Sequence, residues 1–91
     1  MSCRCEHESR VVPRTRDEAV ALCAHQSALG DLLGNVVVDS ARWMSVLRCR
    51  ECGRYWAEDC ISTGHVDLLF AYPIETDDPH GWLENARSLN L

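Results

Sequence analysis

The clearest pattern along the chain is an apolar residue at every second position over residues 66–74. The alternating residues are Val66, Leu68, Phe70, Tyr72 and Ile74. Because successive side chains of a strand point to opposite faces, this period of two predicts a β-strand with one buried face. Pro73 cannot donate a backbone hydrogen bond, so it predicts that this strand lies at a sheet edge or ends there.

Three further segments predict the other strands. Residues 36–38 are three consecutive valines, a β-branched run that favours a short strand. Residues 42–48 and 54–60 flank a Cys-Arg-Glu-Cys-Gly sequence, and we expect them to pair as an antiparallel hairpin. The Ser62-Thr63-Gly64 sequence predicts a turn between this hairpin and the alternating strand.

A first helix is predicted to start at Thr15. Thr15 and Glu18 have capping-box spacing, in which each side chain accepts a hydrogen bond from the other residue's backbone N–H. The apolar face that follows is formed by Ala19, Val20, Cys23 and Ala24, widened by Ala21 and Leu22. The helix is predicted to end before Gly30 or Gly34, with His25 at the surface near its negative end.

A second helix is predicted after the alternating strand. The Asp77-Asp78-Pro79 sequence offers an aspartate cap followed by proline at the first helical position. Trp82, Ala86 and Leu89 would then share one face of this helix and dock it on the sheet.

These elements predict an α+β fold with a small antiparallel sheet and two packed helices. The length of 91 residues predicts a single domain over residues 1–91, with a thin hydrophobic core. A domain of this size needs its large apolar side chains inside, so Trp43, Trp56 and Trp82 are expected in the core or on a sheet face.

The cysteines predict how so small a core is reinforced. Cys49 and Cys52 are three positions apart and are followed at once by Gly53. This is the sequence of a zinc knuckle, in which backbone N–H groups point at the two sulfurs and glycine supplies the positive φ that closes the turn.

A knuckle supplies two ligands, whereas structural zinc takes four. Cys3, Cys5 and His7 form the other tight cluster, so the two clusters are predicted to be halves of one tetrahedral Zn²⁺ site. The predicted ligands are Cys3, Cys5, Cys49 and Cys52, with His7 in place of Cys3 as the alternative. Such a site would staple the N-terminus to the middle of the chain.

Disulfides are the other use for six cysteines. The sequence shows no N-terminal signal segment and no apolar run near about 18 residues, so we expect a cytoplasmic, reducing environment and no membrane association. That environment favours zinc over disulfides. Cys23 and Cys60 would remain outside the site, as small buried apolar residues.

Residues 46–58 resemble the knuckles of zinc ribbons and rubredoxin-like domains, in which an aromatic residue packs beneath the C-x-x-C-G turn. Tyr55 and Trp56 stand at that position here. The resemblance implies metal binding. Redox iron of the rubredoxin kind would need a second C-x-x-C-G sequence, which this chain lacks.

Charge is unevenly distributed along the chain. Residues 1–56 hold eight arginines and seven acidic residues, whereas residues 57–91 hold one arginine and seven acidic residues. Arg4, Arg48, Arg50 and Arg54 surround the predicted ligands and would offset the net negative charge of a four-thiolate zinc site. The acidic C-terminal third is a candidate surface for a basic protein partner, with Glu75, Asp77, Asp78 and Glu84 as its candidate contact residues.

The whole chain resembles the small cytoplasmic zinc-binding proteins of bacteria, among them immunity proteins of toxin–immunity systems. This resemblance implies a non-enzymatic protein that binds another protein through its acidic surface, as an immunity-like or antitoxin-like inhibitor. The alternative is a zinc-ribbon protein that binds nucleic acid or regulates transcription, using arginines on phosphates. No metalloprotease or deaminase motif is present, so we do not expect an enzyme.

Overall fold

The computed structural model of the chain describes residues 3–62, 64–89 and 91. Thr63, in the predicted turn, lies outside the described residues. The regular elements, in chain order, are helix α1 (Arg16–Leu29), a 3₁₀ turn (Gly30–Leu32), strands β1 (Leu33–Asp39), β2 (Met44–Cys49), β3 (Tyr55–Ser62) and β4 (Asp67–Pro73), and helix α2 (Pro79–Asn85). The α+β prediction is confirmed.

The four strands form one antiparallel sheet in the order β1-β2-β3-β4. Val46 of β2 lies opposite Ala57 of β3, which lies opposite Tyr72 of β4. Leu47 and Trp56 form the neighbouring pair, so their side chains point to the other face. Strand β4 lies at an edge and ends at Pro73, as the sequence predicts. It begins only at Asp67, however, and Val66, which was predicted on its buried face, is 53% exposed.

The apolar residues form two buried clusters. The larger one includes Val46, Ala57 and Tyr72 from the sheet, together with Leu22 of α1 and Leu83 of α2. The smaller one lies at the knuckle end of the sheet and consists of Cys5, Leu29, Leu32, Leu47, Cys49, Trp56 and Ala71. Two of the predicted zinc ligands therefore belong to a hydrophobic core.

Both helix starts carry the predicted caps. The Thr15 hydroxyl accepts a hydrogen bond from the Glu18 N–H at 3.1 Å, and the Glu18 carboxylate accepts one from the Arg14 N–H at 2.9 Å. The Asp78 carboxylate accepts from the Gly81 N–H at 3.1 Å and caps α2. The reciprocal bond in the first cap goes to the residue before Thr15, one position earlier than a capping box requires.

Helix α2 is shorter than its sequence predicts. It ends at Asn85, so Ala86 and Leu89 belong to an extended C-terminal segment. Both still pack with Trp82 against the larger core. The Asp59 carboxylate holds this segment by accepting a hydrogen bond from the Leu89 N–H at 2.7 Å, which competes with continued helix formation.

The hairpin between β1 and β2 also differs from its prediction. The Arg42 N–H donates to the Asp39 carbonyl, so residues 40–43 form a turn and β2 begins only at Met44. Trp43 is 63% exposed at the end of this turn, and its predicted place in the core or on a sheet face is wrong. Val20 is also exposed, because the buried face of α1 runs through Leu22 and Leu29 instead.

Candidate metal centre

The knuckle joins β2 to β3. The Gly53 N–H donates to the Cys49 carbonyl at 2.9 Å, and the Cys49 N–H donates to the Arg54 carbonyl at 2.8 Å. Gly53 has φ 81°, a left-handed conformation that glycine adopts without steric cost. The turn therefore has the backbone that the Cys-x-x-Cys-Gly sequence predicts.

The N-terminal arm makes a comparable turn with a different residue. The Glu6 N–H donates to the Cys3 carbonyl at 2.9 Å, and Glu6 has φ 61°. A left-handed residue thus follows the second cysteine in both clusters, Glu6 after Cys5 and Gly53 after Cys52. Both turns direct their paired cysteines to one side.

The sulfurs of Cys3, Cys5, Cys49 and Cys52 all lie within 4.8 Å of one another. The Cys3 and Cys49 sulfurs are 3.6 Å apart, and the Cys5 and Cys52 sulfurs are 3.7 Å apart. A regular tetrahedron with zinc–sulfur bonds of about 2.3 Å requires sulfur separations of about 3.8 Å. The arrangement therefore fits one tetrahedral metal ion with two ligands from each cluster.

The Cys5 and Cys49 thiols differ in acidity. The pKa of the Cys5 thiol is raised to about 12, mainly by burial and partly by the neighbouring thiols, while the His7 N–H opposes the shift. Burial also raises the pKa of the Cys49 thiol, but the N–H groups of Cys52 and Glu51 outweigh it and lower this pKa to about 7. The knuckle N–H groups therefore favour the thiolate form of Cys49, which is the form that binds a metal.

His7 lies beside the four sulfurs rather than among them. Its Nδ1 atom is 3.4 Å from the Cys5 sulfur and 3.8 Å from the Cys52 sulfur. Across the described parts of the chain, the one group of close candidate ligands consists of the four cysteines without His7. His7 is thus placed to donate an N–H to a thiolate, as outer-shell groups of metal sites do.

His25 is the site residue that sequence reasoning missed, and its predicted surface position is wrong. It is buried, and its Nε2–H donates to the Cys5 carbonyl at 2.8 Å. Its Nδ1 atom lies 3.8 Å from a Glu6 carboxylate oxygen, and its ring centroid lies 6.1 Å from that of Trp56. The arm folds over the end of α1 and covers this histidine. The helical spacing of Leu22, His25 and Leu29 was the available signal.

The arginines around the knuckle donate hydrogen bonds to backbone carbonyls of the knuckle and of neighbouring segments. The Nε–H groups of Arg48, Arg50 and Arg54 donate to the carbonyls of Gly53, Asp31 and Ile74, respectively. The Arg48 guanidinium also lies 5.4 Å from the centre of the Tyr55 ring. These hydrogen bonds hold the Arg48, Arg50 and Arg54 side chains next to the knuckle, which agrees with their predicted role of offsetting the sulfur charge.

Trp56 packs with the buried cysteines Cys5 and Cys49, in the position beneath the knuckle that its sequence resemblance implies. Tyr55 instead packs against the larger core on the opposite sheet face. Cys23 and Cys60 are only partly buried and do not join the sulfur cluster. Burial and the nearby carboxylates of Asp67, Asp59 and Glu58 raise the pKa of the Cys60 thiol.

The four acidic residues of the candidate partner surface have different surroundings. Asp77 and Glu84 are exposed, and neither forms an ion pair with any described residue. The Glu75 carboxylate is largely exposed and lies 3.7 Å from the Arg54 guanidinium. Asp78 is occupied as the cap of α2, so its first role is structural.

Neither helix in the described part of the chain has the length and apolar character of a membrane-spanning segment. Comparison of the chain with models of protein families, with curated proteins and with solved structures finds no match.

Proposed function

We propose that the chain is a zinc-binding protein in which one structural Zn²⁺ is held by Cys3, Cys5, Cys49 and Cys52. The single observation that carries this proposal is the near-tetrahedral separation of four sulfurs contributed by two distant segments. Zinc suits four thiolates, and a structural site of this kind supplies folding free energy directly. Bound there, the ion would fix the N-terminal arm to the knuckle.

The donor set also favours a role without catalysis. A catalytic zinc keeps a coordination position open for water or substrate, whereas four cysteine ligands close the tetrahedron. Two of the ligands, Cys5 and Cys49, are buried in the smaller core. A reacting group would have to displace one of the four thiolates to reach the metal.

We further propose that the chain acts by binding a basic protein, in the manner of an immunity-type inhibitor. Support comes from the exposed carboxylates of Asp77 and Glu84, which have no cationic partner within the described part of the chain. Charged surfaces of one sign mainly accelerate association with an oppositely charged partner and set its orientation. The formal net charge of −5 gives less support to nucleic-acid binding, because an acidic domain repels a phosphate backbone.

Metal analysis tests the first part of this proposal. Protein purified from zinc-replete cells should carry one Zn²⁺ per chain, and Cys49→Ser should remove it. Cys60→Ser is the matched control because this cysteine lies outside the cluster, and it should retain the metal. Less than about a tenth of an equivalent in the unaltered protein would contradict the site.

Affinity capture tests the second part. The tagged protein should retain a basic protein partner from its native cells at about 0.15 M salt, with or without nuclease. The triple variant Glu75→Lys, Asp77→Lys and Glu84→Lys should lose that partner, and Asp17→Lys, on an exposed position of α1, should not. Asp78 is left unchanged because it caps α2. Capture that nuclease abolishes would favour the nucleic-acid alternative.

A further inference from the structure

A small groove lies at the β1–β2 hairpin, where β2 begins, whereas the knuckle lies where β2 ends. Its volume is about 220 Å³, and its lining includes Val38, Trp43, Ser45, Glu58 and Leu69. The backbone register places Val38 opposite Ser45, and Ser45 opposite Glu58. The side chains of Val38, Ser45 and Glu58 therefore share one face of the sheet, and Trp56 lies on the same face nearer the knuckle.

Trp43 forms an exposed wall of this groove. Its side chain is 63% exposed, and its backbone has φ 57°. A left-handed conformation is sterically unfavourable for a bulky L-residue, so tryptophan is an unusual choice at a turn position that glycine or asparagine would satisfy. Strain of this kind, joined to exposure of the largest apolar side chain, points to a contact residue.

Glu58 supplies the charge of the groove. One carboxylate oxygen accepts a hydrogen bond from the Gln26 amide at 2.5 Å, and the other accepts one from the Ser45 hydroxyl at 3.0 Å. No cation pairs with Glu58 among residues 3–62, 64–89 and 91. Each oxygen keeps a lone pair free, so the carboxylate is held in place with acceptor capacity left over.

The other charged groups at the groove compensate each other. The Asp39 carboxylate accepts from the Arg42 guanidinium at 2.6 Å. Arg42 also donates to the carbonyls of Leu83 and Ala86 at the end of α2. Glu58 is therefore the groove charge that no described residue neutralises.

Resting on the proposed binding of a basic protein, we infer that this groove receives an arginine side chain of that partner. The Trp43 ring offers a face for the guanidinium, and Glu58 offers two oxygens for paired N–H donors. Val38 and Leu69, both exposed, would cover the aliphatic stem. The bound guanidinium would lose its hydration shell. The Glu58 carboxylate and the Trp43 ring would replace the interactions lost with water.

Titration with N-acetyl-arginine methylamide, followed by ¹H–¹⁵N NMR of the zinc-loaded protein, tests this inference. Saturable shifts should appear at the Trp43 indole and at the amides of Ser45 and Glu58. The citrulline analogue has nearly the same shape without the charge, and it should bind at least roughly fivefold more weakly.

Two variants assign the contacts. Trp43→Ala and Glu58→Gln should each weaken arginine binding by roughly fivefold or more, while Glu84→Gln, an equal charge change outside the groove, should not. The NMR spectrum of each variant shows directly whether its fold is retained. If Glu58→Gln disturbs the fold, the citrulline comparison on the unaltered protein still decides the question.

Three results would overturn the inference: no shifts at the groove, equal shifts with arginine and citrulline, or concentration-dependent shifts of Trp43 in the free protein. The last result would mean that a second copy covers this face. The proposed function is tested by a different result. It predicts that the Glu75, Asp77 and Glu84 triple variant loses its captured partner, and these three residues lie outside the groove lining.

Discussion

The Nε2–H group of His25 donates to the backbone carbonyl of Cys5 at 2.8 Å, which links α1 directly to the N-terminal half of the cysteine cluster. Cys5 is fully buried, so water does not provide an alternative donor for this carbonyl. The hydrogen bond thus fixes both the protonated nitrogen of His25 and the path of the arm. The cysteine cluster is held in place by a helix that contributes none of its four sulfurs.

Replacing His25 should therefore weaken the metal site as well as the fold. His25→Phe keeps an aromatic ring beside Trp56 but leaves the Cys5 carbonyl unsatisfied, which should cost about 1–3 kcal/mol of unfolding free energy. Zinc competition with a chromophoric chelator should show a lower affinity than in the unaltered protein. His80→Phe, at an exposed position of α2, should change neither quantity. Equal zinc affinity in the two variants would contradict this role.

Asp59 should prove essential for the C-terminal segment. Its buried carboxylate accepts hydrogen bonds from the Cys60 N–H, the Leu89 N–H and the Ser88 hydroxyl. Asp59→Asn turns one acceptor atom into a donor that faces other donors, which should cost about 1–3 kcal/mol. Hydrogen exchange at Leu89 should accelerate strongly.

The control for this change is Asp67→Asn, which alters an exposed carboxylate on β4. It should leave Leu89 exchange unchanged. Slow exchange at Leu89 in the Asp59→Asn protein would mean that apolar packing alone holds the segment.

Thr15→Ala should destabilise the start of α1. The substitution removes the hydroxyl that accepts from the Glu18 N–H, a loss that typically costs about 0.5–2 kcal/mol. Urea unfolding of the zinc-loaded protein measures this cost. Ser40→Ala removes a hydroxyl from an exposed turn position and should cost much less. Similar unfolding midpoints for the two variants would show that the cap is unimportant.

Gly53→Ala should strain the knuckle. Gly53 has φ 81°, and an added Cβ would lie 3.2 Å from the Arg48 guanidinium. The left-handed backbone alone should cost roughly 1–2 kcal/mol. The effect should appear as faster zinc loss to a chelator, since the turn aligns Cys49 with Cys52. Unchanged zinc release would indicate that the knuckle tolerates alanine at this position.

Local patterns in the sequence predicted the four strands and the two helices, but not where β2 begins or where α2 ends. The alternation over residues 66–74, the Thr15 cap and the Asp78-Pro79 start all depend on neighbours within a few positions. The two cysteine clusters were predicted to meet because zinc needs four ligands, and the structure brings their sulfurs together. The coordination number of zinc thus predicted a contact between segments that are far apart in the sequence.

Contacts between distant segments were not predictable in the same way. His25 is buried because the N-terminal arm crosses the end of α1, a path that no local pattern encodes. The position of Ala86 and Leu89 after the end of α2 depends on Asp59, some thirty positions earlier in the chain. Trp43 is exposed because β2 begins at Met44 rather than at residue 42, which leaves Trp43 in the β1–β2 turn.

The central claim is a Zn²⁺ ion bound by four cysteine sulfurs, and X-ray absorption at the zinc edge of the purified protein tests it most directly. The account predicts four sulfur neighbours at about 2.3 Å from the metal, with no nitrogen in the first shell. Cys3→Ser should reduce the sulfur count. A nitrogen neighbour at about 2.0–2.1 Å would show instead that His7 replaces Cys3, and protein without bound zinc would contradict the account altogether.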